Sequence, residues 1–341
     1  MRLGIIGLPQ SGRSTIFEAL TKEAARPEFK AEDRIATLNV PDRRVNRLNE
    51  LYKLPKTIYV QMEYYLPGAK SGDTRDPNQW SAVRDCDALI HVVRNHTGFG
   101  FEQKTPLQDF MKLDQELILN DLIVAQKRLE RIELDHGRGK KMNPEEHSLL
   151  KECINHLEDE VPLRNFPQLA SAPLLRGYAF LSARPMLVLF NNDDDDDRLP
   201  QVENLVQKEK CRVIRGRLEQ ELSQMSADEA AEFRAEFNIP DSALNRVIQG
   251  SFALLDLLSF FTIGKNEIRA WAIKKGTQAL DAAEVIHTDM KRGFIRAEVI
   301  SFDALMDAGS YTVARKNGKV RLESKTYEVQ DGDIIMFRFN V

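Results

Sequence analysis

One stretch constrains this chain more than any other: Gly7-Leu8-Pro9-Gln10-Ser11-Gly12-Arg13-Ser14. Two glycines five residues apart, followed by a basic residue and a hydroxyl, match the spacing G-x-x-x-x-G-[K]-[ST]. An apolar run at 3–6 precedes the stretch and a helical pattern over 15–21 follows it, so the spacing predicts a strand, a tight loop and a helix. Such a loop curls its main-chain N–H groups around phosphate oxygens, and the helix N-terminus adds partial positive charge. The candidate phosphate-binding residues are therefore Gly7, Pro9, Gln10, Ser11, Gly12, Arg13, Ser14 and Thr15. Ser14 is the candidate magnesium-side hydroxyl if a metal binds. The lysine of the pattern is arginine here; Arg13 keeps the charge but is bulkier and planar, so it can hold a phosphate without supporting the same transition-state geometry. The bland alternative is a relic loop with a structural role alone.

Near-continuous apolar runs at 3–6, 58–65, 88–93 and 186–190 read as strands covered on both faces, hence an α/β fold with a mainly parallel sheet. From 107 to 134 the apolar residues fall at helical spacing instead (Phe110, Leu113, Leu117, Ile118, Leu122, Ala125, Leu129, Ile132). Gly137-Arg138-Gly139 ends that helix. Asn143-Pro144-Glu145-Glu146 then supplies an N-cap, a first-turn proline and acids at the positive end of a second helix. Its apolar positions Leu150, Cys153, Ile154, Leu157 and Val161 predict an antiparallel helical hairpin inserted in the α/β domain. The basic tip (Arg138, Lys140, Lys141) is either a solvated turn or a partner contact. From Glu267 onward, short strands and turn signals indicate a separate small α+β domain beginning near 258. The expected segments are 1–98 and 183–257 for the α/β domain, 99–182 for the hairpin and 258–341 for the last domain. A length of 341 residues allows two or three such units.

Composition narrows the function classes. The net charge of −4 and a hydrophobic fraction of 42% describe an ordinary soluble chain with no imposed polyanionic partner and no indication of DNA specificity. Cys86, Cys153 and Cys211 lie too far apart for a disulfide framework or a zinc site of usual spacing. No stretch reaches the roughly 18 apolar residues of a membrane span, so the expected location is cytoplasmic and no membrane partner is expected. No histidine has a nucleophile or base at catalytic spacing, so no catalytic residue is nominated.

The opening loop resembles that of the YchF/Obg-like ATPase family, and the C-terminal text resembles the same family more specifically. Ser259-Phe260-Phe261-Thr262, Ile268-Arg269-Ala270-Trp271, Ile286-His287-Thr288-Asp289, Arg292-Gly293-Phe294-Ile295-Arg296-Ala297 and Asp331-Gly332-Asp333 look like its TGS-containing end. His91-Val92-Val93-Arg94 and Leu244-Asn245-Arg246-Val247-Ile248 match in order, so the likeness spans nearly the whole chain. The resemblance implies a G domain carrying a helical hairpin, followed by a TGS domain of β-grasp type. It also implies a protein that prefers ATP to GTP, hydrolyses it slowly and associates with ribosomes.

Departures from the family pattern bear on hydrolysis. The family's D-x-A-G aspartate falls on Leu66, and the switch stretch, which normally carries a threonine ligand, reads Phe29-Lys30-Ala31-Glu32-Asp33. With Arg13 in the lysine position, three charge-neutralising parts of phosphoryl transfer are altered together, which predicts very slow or absent turnover. Glu32 or Asp33 is either a substitute metal ligand or part of a solvated acidic loop.

After the run 186–190, Asn191, Asn192 and Asp194 stand where such proteins read the base. Asp194 would accept from guanine N1–H and the 2-amino group, which adenine lacks, whereas the resemblance favours adenine. The expected cofactor is ATP or GTP, with Mg2+ open. The five-aspartate run 193–197 is alternatively a solvated loop kept extended by its own repulsion. Basic residues near C-terminal turns, including Lys274, Lys275, Arg296, Arg315 and Arg321, suit RNA phosphates. The expected partners are thus a purine nucleotide and a ribosome or other RNA assembly, with a nucleotide-free adaptor and an active Mg-dependent ATPase or GTPase as the alternatives.

Overall fold

The computed structural model describes residues 1–22, 32–68, 80–98, 100, 103–236, 239 and 243–340. The chain begins with β1 (Arg2–Ile6), α1 (Arg13–Thr21), β2 (Arg34–Asn39), α2 (Arg43–Tyr52), β3 (Lys56–Ile58), β4 (Gln61–Leu66) and β5 (Ala88–Asn95). Next come α3 (Pro106–Gly137), α4 (Pro144–Glu158), α5 (Pro167–Ala170), β6 (Met186–Asn192), α6 (Glu203–Lys208), β7 (Lys210–Ile214), α7 (Gly216–Gln224) and α8 (Ala227–Glu236). The last third holds α9 (Ala243–Leu254), β8 (Leu257–Ile263), β9 (Glu267–Lys274), α10 (Ala279–Ile286), α11 (Thr288–Arg292) and β10 (Phe294–Ser301), then α12 (Phe302–Ala308), α13 (Tyr311–Lys316), β11 (Arg321–Glu323) and β12 (Asp333–Phe339).

Two units form. Met1–Leu38 with Glu63–Val247 make the first, and Asn39–Met62 with Ile248–Val341 the second. The first unit carries a sheet of order β2-β4-β1-β5-β6-β7 in which β1, β4, β5, β6 and β7 pair in parallel. Its central strands are buried from end to end, as the unbroken apolar runs require. One face packs Ile6, Tyr65, Leu89, Val93, Val188 and Phe190 against Phe110, Leu113 and Leu117 of α3; each such large side chain contributes about 1.5–3 kcal/mol on burial. Further along, α3 packs Ile118, Ala125 and Ile132 against Leu150, Cys153, Ile154 and Leu157 of α4, the expected hairpin faces. Asn143 caps α4 as its sequence position predicts, its Oδ1 accepting from the N–H groups of Glu145 (3.0 Å) and Glu146 (3.3 Å). No described helix is long and apolar enough to cross a membrane.

The second unit has a sheet of order β11-β10-β12-β8-β9-β3. β8 and β9 pair antiparallel, from Leu257 opposite Lys274 to Ile263 opposite Ile268. Its core gathers Phe260, Ile273, Ala297, Val299 and Ile335, with Trp271 and Phe294 packed against it. The apolar run 58–65, read as one strand of the parallel sheet, is divided in the structure. Lys56–Ile58 pairs in parallel with Glu267, Ile268 and Arg269 in the second unit, and Gln61–Leu66 supplies β4 beside β1. Residues 39–62, expected in the first part of the α/β domain, accordingly cluster with the C-terminal unit.

Candidate nucleotide site

The loop between β1 and α1 has the conformation that its glycines permit. Gln10 lies at φ 66° and Gly12 at φ 97°, both left-handed, and Gly12 opens α1 with no side-chain cap. Its carbonyl accepts from Ile16 N–H (3.0 Å), starting the helix, while Ser11 N–H closes the loop on Leu8 O (3.2 Å). A Cβ on Gly7 would stand 2.5 Å from Ser11 Oγ and 2.5 Å from Val92 O, so the first glycine is required by packing against the end of β5. A Cβ on Gly12 would stand 2.2 Å from Asn191 Nδ2.

That second contact identifies the organising residue. Asn191, at the end of β6 and 5% exposed, donates from Nδ2 to Ser11 O (3.0 Å) and accepts at Oδ1 from Gly216 N–H (2.9 Å), the first residue of α7. One amide thus ties the phosphate-loop candidate to the loop after β7. A cleft of about 640 Å³ opens between them, lined by Gln10, Gly12, Arg13, Ser14, Thr15, Asn191, Asn192 and Asp194, all nominated from sequence. His96, Thr97, Asp193, Arg217, Gln220 and Glu221 complete the lining. Gly7 and Ser11 hold the loop from behind, the Ser11 side chain being buried, and Pro9 is exposed on it. His96 and Thr97 escaped the sequence reading. Their signal was position: the ends of parallel strands in an α/β sheet are where ligands bind.

Arg13 is half-buried, and among the described residues its guanidinium has no carboxylate or other hydrogen-bond partner. Burial alone pulls its pKa below the ordinary arginine value. A desolvated cation without a counter-ion, on the wall of a cleft, is complementary to an anion that enters it.

The residues nominated as base contacts divide their labour. Asn192, nominated as a base contact, points its amide elsewhere: Nδ2 donates to Asp196 O (3.1 Å) and Arg198 O (2.8 Å), and Oδ1 accepts from Asn95 (2.8 Å). It braces the acidic loop. That loop is a folded turn and not a self-repelling extended strand, for Asp193, Asp194 and Asp196 each have a partner. Asp193 takes Lys104 Nζ (2.9 Å) and Thr97 N–H (3.1 Å), and Asp196 takes Arg198 N–H (3.2 Å). Burial opposes ionisation of Asp193, but these donors outweigh it and hold its pKa below the usual carboxylate value. Asp194 accepts Leu218 N–H at Oδ1 (3.2 Å), with Arg217 4.0 Å from Oδ2.

For a metal the donor set is poor. Magnesium takes oxygen ligands, usually one or two carboxylates beside phosphate and water. Beside the 7–14 loop the described residues offer the Ser14 hydroxyl, and no cluster of three metal-ligating side chains exists among them. The cleft carboxylates are engaged: Asp193 with Lys104, Asp194 with Leu218 N–H, Glu221 with Arg217 (3.2 Å). Asp33, considered from sequence as a substitute ligand, accepts Gly68 N–H (2.9 Å) and faces the Tyr65 hydroxyl. Leu66 is buried, and residues 29–31 lie outside the described residues. Among the described residues, those lining the cleft do not fit a magnesium ion.

Comparison with known proteins agrees with this architecture. A family model described as 50S ribosome-binding GTPase matches residues 2–127, and the YchF-GTPase C-terminal model, described as a protein of unknown function, matches residues 257–340. The Ribosome-binding ATPase YchF of Bacillus subtilis (strain 168) is 33% identical over 362 residues, covering 99% of each chain. That of Pasteurella multocida (strain Pm70) is 34% identical over 360 residues, covering 100% of this chain and 99% of the other. The solved structure of the Schizosaccharomyces pombe YchF GTPase superposes with a TM-score of 0.85 at 26% identity, covering 99% of this chain and 97% of that one. With a phosphate-loop geometry at one end, a matching C-terminal unit at the other and full-length similarity between them, the chain belongs to the YchF family.

Proposed function

We propose that this chain binds a purine nucleotide in the cleft between the 7–14 loop and residues 191–194, prefers ATP, hydrolyses it very slowly or not at all, and associates with the ribosome. Arg13 carries the reading: a partly desolvated cation with no counter-ion among the described residues, at the start of a helix whose first turn lines the cleft beside Asn191. Gly7, Gln10, Gly12, Ser14 and Thr15 shape or line the phosphate end, and Asn191 and Asp194 the base end. The preference for ATP is supported by Asp194. Guanine would present N1–H and the 2-amino group to the two oxygens of such a carboxylate, where they compete with Leu218 N–H on one oxygen and with Arg217 near the other. Slow turnover is supported by the lack of any aspartate in the stretch 62–68 and by Asp33 being engaged with Gly68 N–H. Ribosome association rests on the relatives named Ribosome-binding ATPase.

Sedimentation of the protein with purified ribosomes, with and without ATP or GTP, tests the reading. The expected result is co-sedimentation that changes with ATP more than with GTP, a change that Arg13→Ala abolishes. Association that ignores both nucleotides, in wild type and Arg13→Ala alike, would favour a nucleotide-free adaptor instead.

A further inference from the structure

We propose that this chain holds its nucleotide without magnesium, Arg13 supplying at the phosphates the positive charge that a metal ion supplies elsewhere. The inference rests on the nucleotide reading above and goes beyond it by removing the metal. A nucleoside triphosphate brings several negative charges into a partly desolvated cleft, and something must neutralise them.

Two observations point to the same neutraliser. On the metal side, the Ser14 hydroxyl stands without an unengaged carboxylate among the described residues that line the cleft. Asp193, Asp194 and Glu221 are each engaged by a donor on the protein, and Asp33 accepts Gly68 N–H. Magnesium sheds its water reluctantly, and one hydroxyl is a weak reason for it to do so. On the cation side, Arg13 opens α1, a helix of nine residues, and no described acceptor competes for its guanidinium. A guanidinium presents a planar fork of N–H donors and bridges two phosphate oxygens at once. A lysine ammonium in that position is a point charge that leaves the second oxygen to a metal. Arginine in place of lysine in the loop and the missing aspartate of the D-x-A-G pattern are then a single adaptation: the fork takes over the oxygens that the metal would have bridged. An arrangement of this kind favours holding the nucleotide over cleaving it, because no ion follows the charge that develops on the leaving group.

Calorimetric titration of the full-length protein with ATP, in saturating magnesium and again in excess EDTA, tests the inference. The wild-type dissociation constants are expected to agree within roughly threefold between the two media, and Arg13→Lys is expected to acquire a magnesium dependence of about tenfold or more. A wild-type affinity that falls about tenfold when magnesium is removed would overturn the inference while leaving nucleotide binding intact. An Arg13→Lys protein as indifferent to magnesium as the wild type would overturn the role given to the guanidinium. Absence of heat and of saturable binding in both media would overturn the nucleotide reading, and this inference with it.

Discussion

Gly12→Ala acts on the site through a single neighbour, which makes its cost separable into parts. The new Cβ would stand 2.2 Å from Asn191 Nδ2, so the Asn191 side chain must leave. With it go the hydrogen bonds to Ser11 O (3.0 Å) and from Gly216 N–H (2.9 Å), both buried. Each such bond contributes about 1 kcal/mol net, and leaving a buried partner unsatisfied costs about 1–3 kcal/mol. Holding alanine at φ 97° adds about 1 kcal/mol. The total is about 4–6 kcal/mol. In an Asn191→Ala background the clash is absent and the two bonds are already lost, so Gly12→Ala should then cost the backbone term alone, about 1 kcal/mol. The double-mutant cycle, measured by urea denaturation of the full chain at constant slope, is expected to give a coupling of about 2 kcal/mol or more. Additive effects would refute the argument, since Gly12 would then be needed for its backbone conformation and not for the approach of Asn191.

Two further predictions concern buried titratable groups. His91 on β5 is fully buried against Phe110, its ring centroid 5.1 Å away, and burial, helped by the charge of Arg164, pushes its pKa down to about 3. The native state therefore favours the neutral ring: stability is full above the ordinary histidine pKa of ~6.5 and falls as the pH drops toward 3, by up to about 1.4 kcal/mol per pH unit. His91→Phe is expected to flatten that slope between neutral and mildly acidic pH, and parallel stability curves would contradict it. In the second unit, burial of Glu298 on β10 opposes its charge, but hydrogen bonds from Tyr311 Oη (2.5 Å) and Arg338 outweigh burial and hold its pKa below the usual range. Its contribution is present above the ordinary glutamate pKa and lost as the pH falls through the depressed one. Glu298→Ala should cost about 1–2 kcal/mol at neutral pH in chemical denaturation, with the gap to wild type closing in acid; a gap that persists at low pH would contradict the assignment.

What the sequence discloses depends on how local the cause is. The Asn143-Pro144 cap, the glycine loop and the faces of α3 and α4 follow from neighbours within a few residues, and they read directly. The run 58–65 does not, because the partner that takes residues 56–58 is β9, some 200 positions onward, and both halves of the run have strand-like side chains. Asn191 and Asn192 read alike as a pair, yet successive residues of a strand face opposite sides. One therefore reaches the phosphate-loop candidate and the other the 196–198 turn. The five aspartates suggested repulsion because Lys104 and the Thr97 N–H, which meet Asp193, come from about 90 residues earlier. His96 and Thr97 carry no motif and become visible once β5 is known to end beside β6.

Equilibrium titration of the purified protein with labelled ATP and GTP, beside Gly12→Val, tests the central claim most directly. Saturable binding of ATP below millimolar concentration is expected for the wild type, weaker binding of GTP, and none for the variant, whose side chain must occupy the space of the Asn191 amide. If neither nucleotide binds the wild type saturably below that concentration, the cleft is not a nucleotide site.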